Sequence, residues 1–249
     1  MRKTKWVAAA LFLACSVVRV EAQNLHDFLS AVEAQAKVTA ALQADGTIET
    51  VKDGHTQRDQ VVVVLGPPSD LYIELHSDGT RALLLDGGTR AFRASKGGGS
   101  QEFPLETALA DSDFVREDLQ AFRVDRFSDM RISDDSNGEL TATLFPAKSQ
   151  YSLLAMTFDR EKKVPTKTIY YRDTLNNAVK MERFGGYTQI GGEWLPSTIS
   201  MESFRLKTRT TLTMHWTAAP KLPADLFAAD SLARPSQLDW PAAQTTTGQ

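Results

Sequence analysis

Between Tyr151 and Trp216 the chain alternates polar and apolar residues with a period of two. Along Leu206, Thr208, Thr210, Leu212, Met214 and Trp216 the even positions become steadily more apolar, while Lys207, Arg209, Thr211, Thr213 and His215 stay polar. Successive side chains of a strand point to opposite faces, so this pattern predicts a strand with one dry and one wet face. Val179 and Met181 alternate with Lys180 and Glu182 in the same way, and Ile199 and Met201 with Ser200 and Glu202. Asn176-Asn177, Gly185-Gly186 and Gly191-Gly192 separate these segments and suit the positive φ angles of hairpin turns. The expectation is an antiparallel sheet in which Val179, Met181, Ile199, Met201, Leu212, Met214 and Trp216 form one apolar wall.

The first half of the chain carries a second strand group. Thr47–Val51, Gln60–Leu65, Leu71–His76, Arg81–Leu85 and Thr89–Ala94 are short and β-rich, with Asp53-Gly54, Gly66-Pro67-Pro68, Asp78-Gly79 and Asp86-Gly87-Gly88 between them. The run from Val61 to Leu65 lacks polar alternation, which predicts a strand covered on both faces. Before this group, Leu25, Phe28, Leu29, Val32 and Ala36 recur at helical spacing and predict an amphipathic helix to about Leu42, ended by Asp45-Gly46. Between the strand groups, Leu109, Phe114, Leu119 and Phe122 lie roughly a helical turn apart, and Asp113 could cap a turn. One or two short helices are expected there, either as packing or as a cover over the sheet. The acidic run Asp134–Glu139 fits a calcium loop poorly, because aligning Gly138 on its invariant glycine leaves Ser133 and Leu144 at the terminal ligand positions. Asn137-Gly138 is better read as a hairpin turn.

The start of the chain changes the picture. Arg2, Lys3 and Lys5 precede an apolar run, Trp6–Val18, shorter than the roughly 20 residues of a membrane span, and Val20-Glu21-Ala22 offers a peptidase site. Residues 1–22 therefore read as a signal peptide, residues 23–232 as one folded domain, and residues 233–249 as a flexible C-terminal tail. The expected location is the periplasm. The only cysteine, Cys15, lies within the signal. Lipoprotein anchoring there is the less favoured reading, since Phe12 and Leu13 fit the lipidation box badly. Cleavage before Gln23 leaves no thiol for disulfides, catalysis or metal binding. A formal net charge of −3 argues against a nucleic-acid partner.

Catalytic motifs are missing. The four histidines, His26, His55, His76 and His215, share no metal-ligand spacing, and the chain contains no Gly-x-Ser-x-Gly elbow, His-Glu-x-x-His or dinucleotide fingerprint. The acidic pairs Asp111/Asp113 and Glu117/Asp118 read as solvated carboxylates. No enzyme, catalytic residue, metal or cofactor is expected.

Two stretches resemble the LolA-like outer-membrane lipoprotein-sorting family. One is Asp111-Ser112-Asp113-Phe114 with Glu117-Asp118-Leu119. The other passes through Val164-Pro165, Ile169–Asp173, Val179-Lys180, Ile190–Pro196, Ile199–Met201, Thr210–Leu212, Leu222-Pro223 and Leu226-Phe227. The resemblance implies a mainly β, α+β fold: a half-open antiparallel β-barrel with an N-terminal helix and a helical cover, enclosing an apolar cavity for acyl chains. The lid arginine of the lipoprotein carrier has no counterpart that can be placed here. The expected function is a periplasmic carrier or binding protein for a lipid or a lipid-modified protein, in lipoprotein sorting or envelope lipid transport. The seven wall residues would touch the acyl chains, and an inner-membrane transporter or an outer-membrane acceptor would be the protein partner. The alternative is a non-catalytic envelope interaction or sensor module that supports a membrane transporter.

Overall fold

The computed structural model describes residues 24–96, 98–218, 220–236 and 238. The expected signal peptide lies outside them, as does the chain beyond 238. A helix, α1 (residues 24–35), precedes six strands: β1 (Leu42–Lys52), β2 (His55–Gly66), β3 (Asp70–Leu75), β4 (Arg81–Leu85), β5 (Arg90–Ala94) and β6 (Gln101–Glu102). After an irregular segment come β7 (Phe127–Ser136), β8 (Glu139–Pro146), β9 (Leu153–Asp159), β10 (Val164–Tyr171) and β11 (Ala178–Gly185). The small hairpin β12 (Thr188–Ile190) and β13 (Glu193–Leu195) is followed by β14 (Thr198–Ser203) and β15 (Thr208–Ala218).

Thirteen of these strands form one antiparallel sheet in the order β6-β5-β4-β3-β2-β1-β15-β14-β11-β10-β9-β8-β7. The sheet has two free edges, β6 and β7, and does not close into a barrel. Its two halves meet where β1 lies against β15, with Ile48 opposite Leu212 and Gly46 opposite Met214. Gly46 makes this seam possible, because a Cβ there would lie 1.9 Å from the Thr213 carbonyl oxygen. Gly46→Ala should therefore cost roughly 1–3 kcal/mol through forced separation of the strands. The denaturation midpoint measures this, and an unchanged midpoint would mean that the seam opens freely.

Short turns set the hairpins as the sequence suggested. Asp53-Gly54 and Asn137-Gly138 adopt positive φ at both positions, the twist that suits two-residue hairpins. The valine run is covered on both sides: Val61 and Val63 belong to the main core, Val62 and Val64 to a second core on the opposite face. That second face is covered by the chain after β15, with Leu226, Leu232 and Leu238 buried against Tyr72, Leu83 and Leu85. Buried Arg81 donates to the carbonyls of Leu232 (2.9 Å) and Arg234 (2.6 Å), and the Ser236 hydroxyl donates to Glu74 (2.7 Å). Docked chain thus continues past residue 232, where the tail was expected to begin.

The helix expectation holds in part. Leu25, Leu29 and Val32 bury the predicted stripe of α1 against Leu140, Ala142, Leu144, Met156 and Phe158 on β8 and β9. However, the helix stops at residue 35, and Leu42–Gly46, expected as its end, lie inside β1. The backbone N–H of Val38 donates to the Pro68 carbonyl (2.9 Å), which takes the chain off the helical path. Leu42 and Ala44 are then buried between β2 and β15. Pairing in the middle of a sheet outweighs the modest helix propensity of the segment.

The expected helical cover is absent. Residues 103–122 form an irregular strap. Its backbone folds on itself as a narrow hairpin, with Leu109 N–H donating to Phe114 O (2.8 Å), Arg116 N–H to Thr107 O (2.9 Å) and Glu117 N–H to Leu105 O (3.0 Å). Beyond it, a single 3-10 turn spans Val124–Arg126.

Candidate functional site

One face of the sheet, called the inner face here, carries both α1 and the strap. Register traces it across the strands. Tyr170 on β10 faces Lys180 on β11, Glu182 faces Met201 on β14, and Ile199 faces Leu212 on β15. From there the same face runs through Ile48, Val61, Leu75, Ile73 and Ala82 on β1 to β4. The strap packs Phe103, Leu109 and Phe114 onto these residues, and together they make the main core.

Six of the seven expected wall residues belong to this core. Met201, Leu212 and Met214 are buried in it, and Val179, Ile199 and Trp216 pack against it. Met181 does not join them. It lies opposite Ile169 and Glu202, which puts it on the outer face, while Lys180 and Glu182 point inward. The alternation of β11 is thus inverted relative to the sequence reading. Val179 reaches the inner face because the β10–β11 register slips between Tyr170 and Tyr171, which leaves it as the extra residue of a bulge.

Lys180 and Glu182 point inward because their partners lie there, Lys180's on the strap and Glu182's on β10. The Lys180 Nζ donates to the Asp118 carboxylate (3.0 Å) and to the Asp113 carbonyl (2.7 Å). Asp118 is fully buried and also accepts the Val115 N–H (2.9 Å) and the Tyr151 hydroxyl (3.0 Å). Burial pushes its carboxyl pKa up, against the opposing pull of Lys180 and the two other donors. Asp113 takes the hydroxyls of Thr208 and Thr210, while its own N–H donates to the Thr210 oxygen (2.9 Å). Thr50 on β1 completes the set, 3.0 Å from Thr210. Next along the face, the Tyr170 hydroxyl donates to Glu182 (2.6 Å), with the Tyr151 ring 4.8 Å from the Tyr170 ring. Burial raises the Glu182 pKa to about 8, so this carboxyl holds its proton near neutral pH. The far side of the strap is tied down by Arg116, which donates to the carbonyls of Gly88 (2.8 Å) and Thr89 (3.1 Å).

Asp113, Glu117 and Asp118 are therefore not the solvated carboxylates that the sequence suggested, whereas Asp111 is exposed. Buried carboxylates need donors, and here the donors come from strands far away in the sequence. The available signal was the coincidence of an acidic strap with polar residues at inward phase on β11 and β15. Only the register reveals that phase.

Among the described residues a small space of about 110 Å³ lies between the strap residues Leu109–Ser112 and Ile48, Thr50 and Leu75. More open space lies at the margins of the core. A cleft of about 470 Å³ lies beside Leu25 and Phe28 of α1 and Ile132 and Leu140 of β7 and β8. A second cleft, of about 300 Å³, lies between the strap and β5 and β6. Also among the described residues, no group of three or more His, Cys, Asp or Glu side chains could hold a metal ion.

This fold is similar to solved structures of LolA-like proteins. It superposes on an outer membrane lipoprotein-sorting protein domain from Vibrio parahaemolyticus with a TM-score of 0.74 at 15% identity, covering 84% of this chain and 98% of that one. A DUF1329 family protein from Desulfovibrio piger gives 0.73 at 16% identity, with 85% and 99% coverage. A LolA superfamily protein from Nitrosomonas europaea gives 0.63 at 16% identity, again with 85% and 99% coverage. A family model described only as "Uncharacterized protein" matches residues 100–234, more than half of the sequence, and the chain belongs to that family. No curated protein matches it by sequence.

Proposed function

We propose that the protein is a periplasmic carrier or binding protein for a lipid or a lipid-modified protein, and that acyl chains take the place of the strap against the inner face. The observation that carries this reading is the construction of the strap. Its apolar side chains complete a core that runs across most of the sheet, yet it belongs to no strand of that sheet and is joined to it mainly through side-chain hydrogen bonds and one buried ion pair. A cover of that kind can leave as a unit and expose the apolar side chains of the inner face, beside the polar groups that held it. Each acyl CH₂ buried there gains about 0.8 kcal/mol. The LolA-like fold is consistent with this use, and export follows from the charged and apolar start of the sequence.

Native mass spectrometry of the protein purified from the periplasm tests the proposal. The expected spectrum contains protein with one lipid mass bound, released on activation. Protein that is free of lipid, and that does not take up a fluorescent acyl probe, would overturn the carrier reading. It would leave the interaction or sensor module as the better account.

A further inference from the structure

The cleft between the strap and strands β5 and β6 contains a charge that the fold does not use. Arg93 lies on the inner face of β5, opposite Ala82 and Gln101. Its Nε has no access to solvent and no hydrogen-bond partner, and the guanidinium sits 5.9 Å from the Phe103 ring centre. The other arginines of the described chain are paired with carboxylates or bonded to carbonyl oxygens, except Arg205 at an exposed turn. Among the described arginines, Arg93 thus stands alone in facing a cleft without a carboxylate or carbonyl partner. Ser95 and Gln101 line the same cleft and add a hydroxyl and an amide donor, whereas the Thr80 hydroxyl there donates to Asp78 (2.8 Å). Its remaining wall includes Phe103 and Leu109, which are also part of the core beneath the strap.

We propose that this cleft binds the singly charged head of an anionic amphiphile, a carboxylate or a phosphodiester, with Arg93 as the group that reads the charge. A guanidinium offers a planar fork of donors that matches either oxyanion, and partial burial strengthens the contact. Exposed Asp111 at the rim disfavours a doubly charged head. Phe103 and Leu109 belong both to the cleft wall and to the inner-face core, so an attached acyl chain meets apolar side chains at that end. That part of the inference rests on the carrier reading, whereas the anion site itself does not.

The test is calorimetric titration of the delipidated mature protein with dodecanoate, lauroyl lysophosphatidylglycerol, dodecyl maltoside and the chainless dimethyl phosphate. The two anionic amphiphiles should bind about tenfold or more tightly than the maltoside. Whichever of them binds more tightly identifies the head as carboxylate or phosphodiester. Arg93→Met should erase the preference and leave maltoside affinity and the melting temperature unchanged, because Arg93 makes no structural hydrogen bond. Arg93→Lys should keep part of it. Equal binding of charged and neutral amphiphiles by the parent would overturn the anion site and leave the carrier reading standing. A preference that survives in Arg93→Met would overturn the role of Arg93. If no amphiphile binds but dimethyl phosphate does, and Arg93→Met abolishes that binding, the anion site stands and the carrier reading falls.

Discussion

Replacing Lys180 by alanine is expected to be among the most destabilising single changes in the chain. Its ammonium is mostly buried and touches a carboxylate with no solvent exposure. Without it, Asp118 must either stay charged without its cation or take up a proton, and the Asp113 carbonyl loses its donor. Removing one partner of a buried ion pair costs about 3–5 kcal/mol. The loss should appear in denaturant unfolding, together with faster proteolysis within residues 103–122. Combining Lys180→Met with Asp118→Asn removes both charges and should recover much of the stability. A single variant as stable as the parent would mean that this contact does not hold the strap.

Stability should also fall as the solution becomes alkaline, through Glu182. Its carboxyl titrates near 8 in the folded chain, chiefly because burial disfavours the charge, and at about 4.5 when unfolded. Between those values the folded protein holds a proton that the unfolded chain has released, so rising pH favours unfolding. The contribution is fully present below about pH 4.5 and is lost by about pH 8, at up to about tenfold in the folding equilibrium per pH unit. Asp118, also raised by burial, acts in the same direction. Glu182→Gln cannot ionise and should flatten the dependence of melting temperature on pH between 5 and 8. It should match or exceed the parent at the alkaline end. A parent profile that rises through this window would show that Glu182 is ionised in the fold.

Much of the architecture could be read directly from the chain. The alternation along β15 and β14 placed Ile199, Met201, Leu212 and Met214 on one face, and the uninterrupted valines of β2 signalled cover on both sides. These are local patterns whose periods match their structure. What escaped depends on partners distant in sequence. Leu42–Gly46 has a helical appearance in isolation but is claimed by two flanking strands. On β11, apolar Met181 faces outward while Lys180 and Glu182 are drawn inward by Asp118 and Tyr170, so hydrophobicity alone assigned the wrong phase. The strap has helix-like spacing of apolar residues, yet Asp113 bonds to Thr208 and Thr210 instead of capping a helix. Six residues of the expected wall lie in the core that the strap completes, and Met181 does not.

The seam between β1 and β15 also bears on how the chain reaches this state. Thr50 and Thr210, joined across it by their hydroxyls, are 160 residues apart in sequence. Every hairpin on either side can form locally, but the middle of the sheet cannot exist until the last long strand has been made and has met the first. Such long-range pairing gives a high contact order, which places folding towards the slow end for single domains. During synthesis the first strand group would wait with the flank of β1 unpaired until β15 had been made.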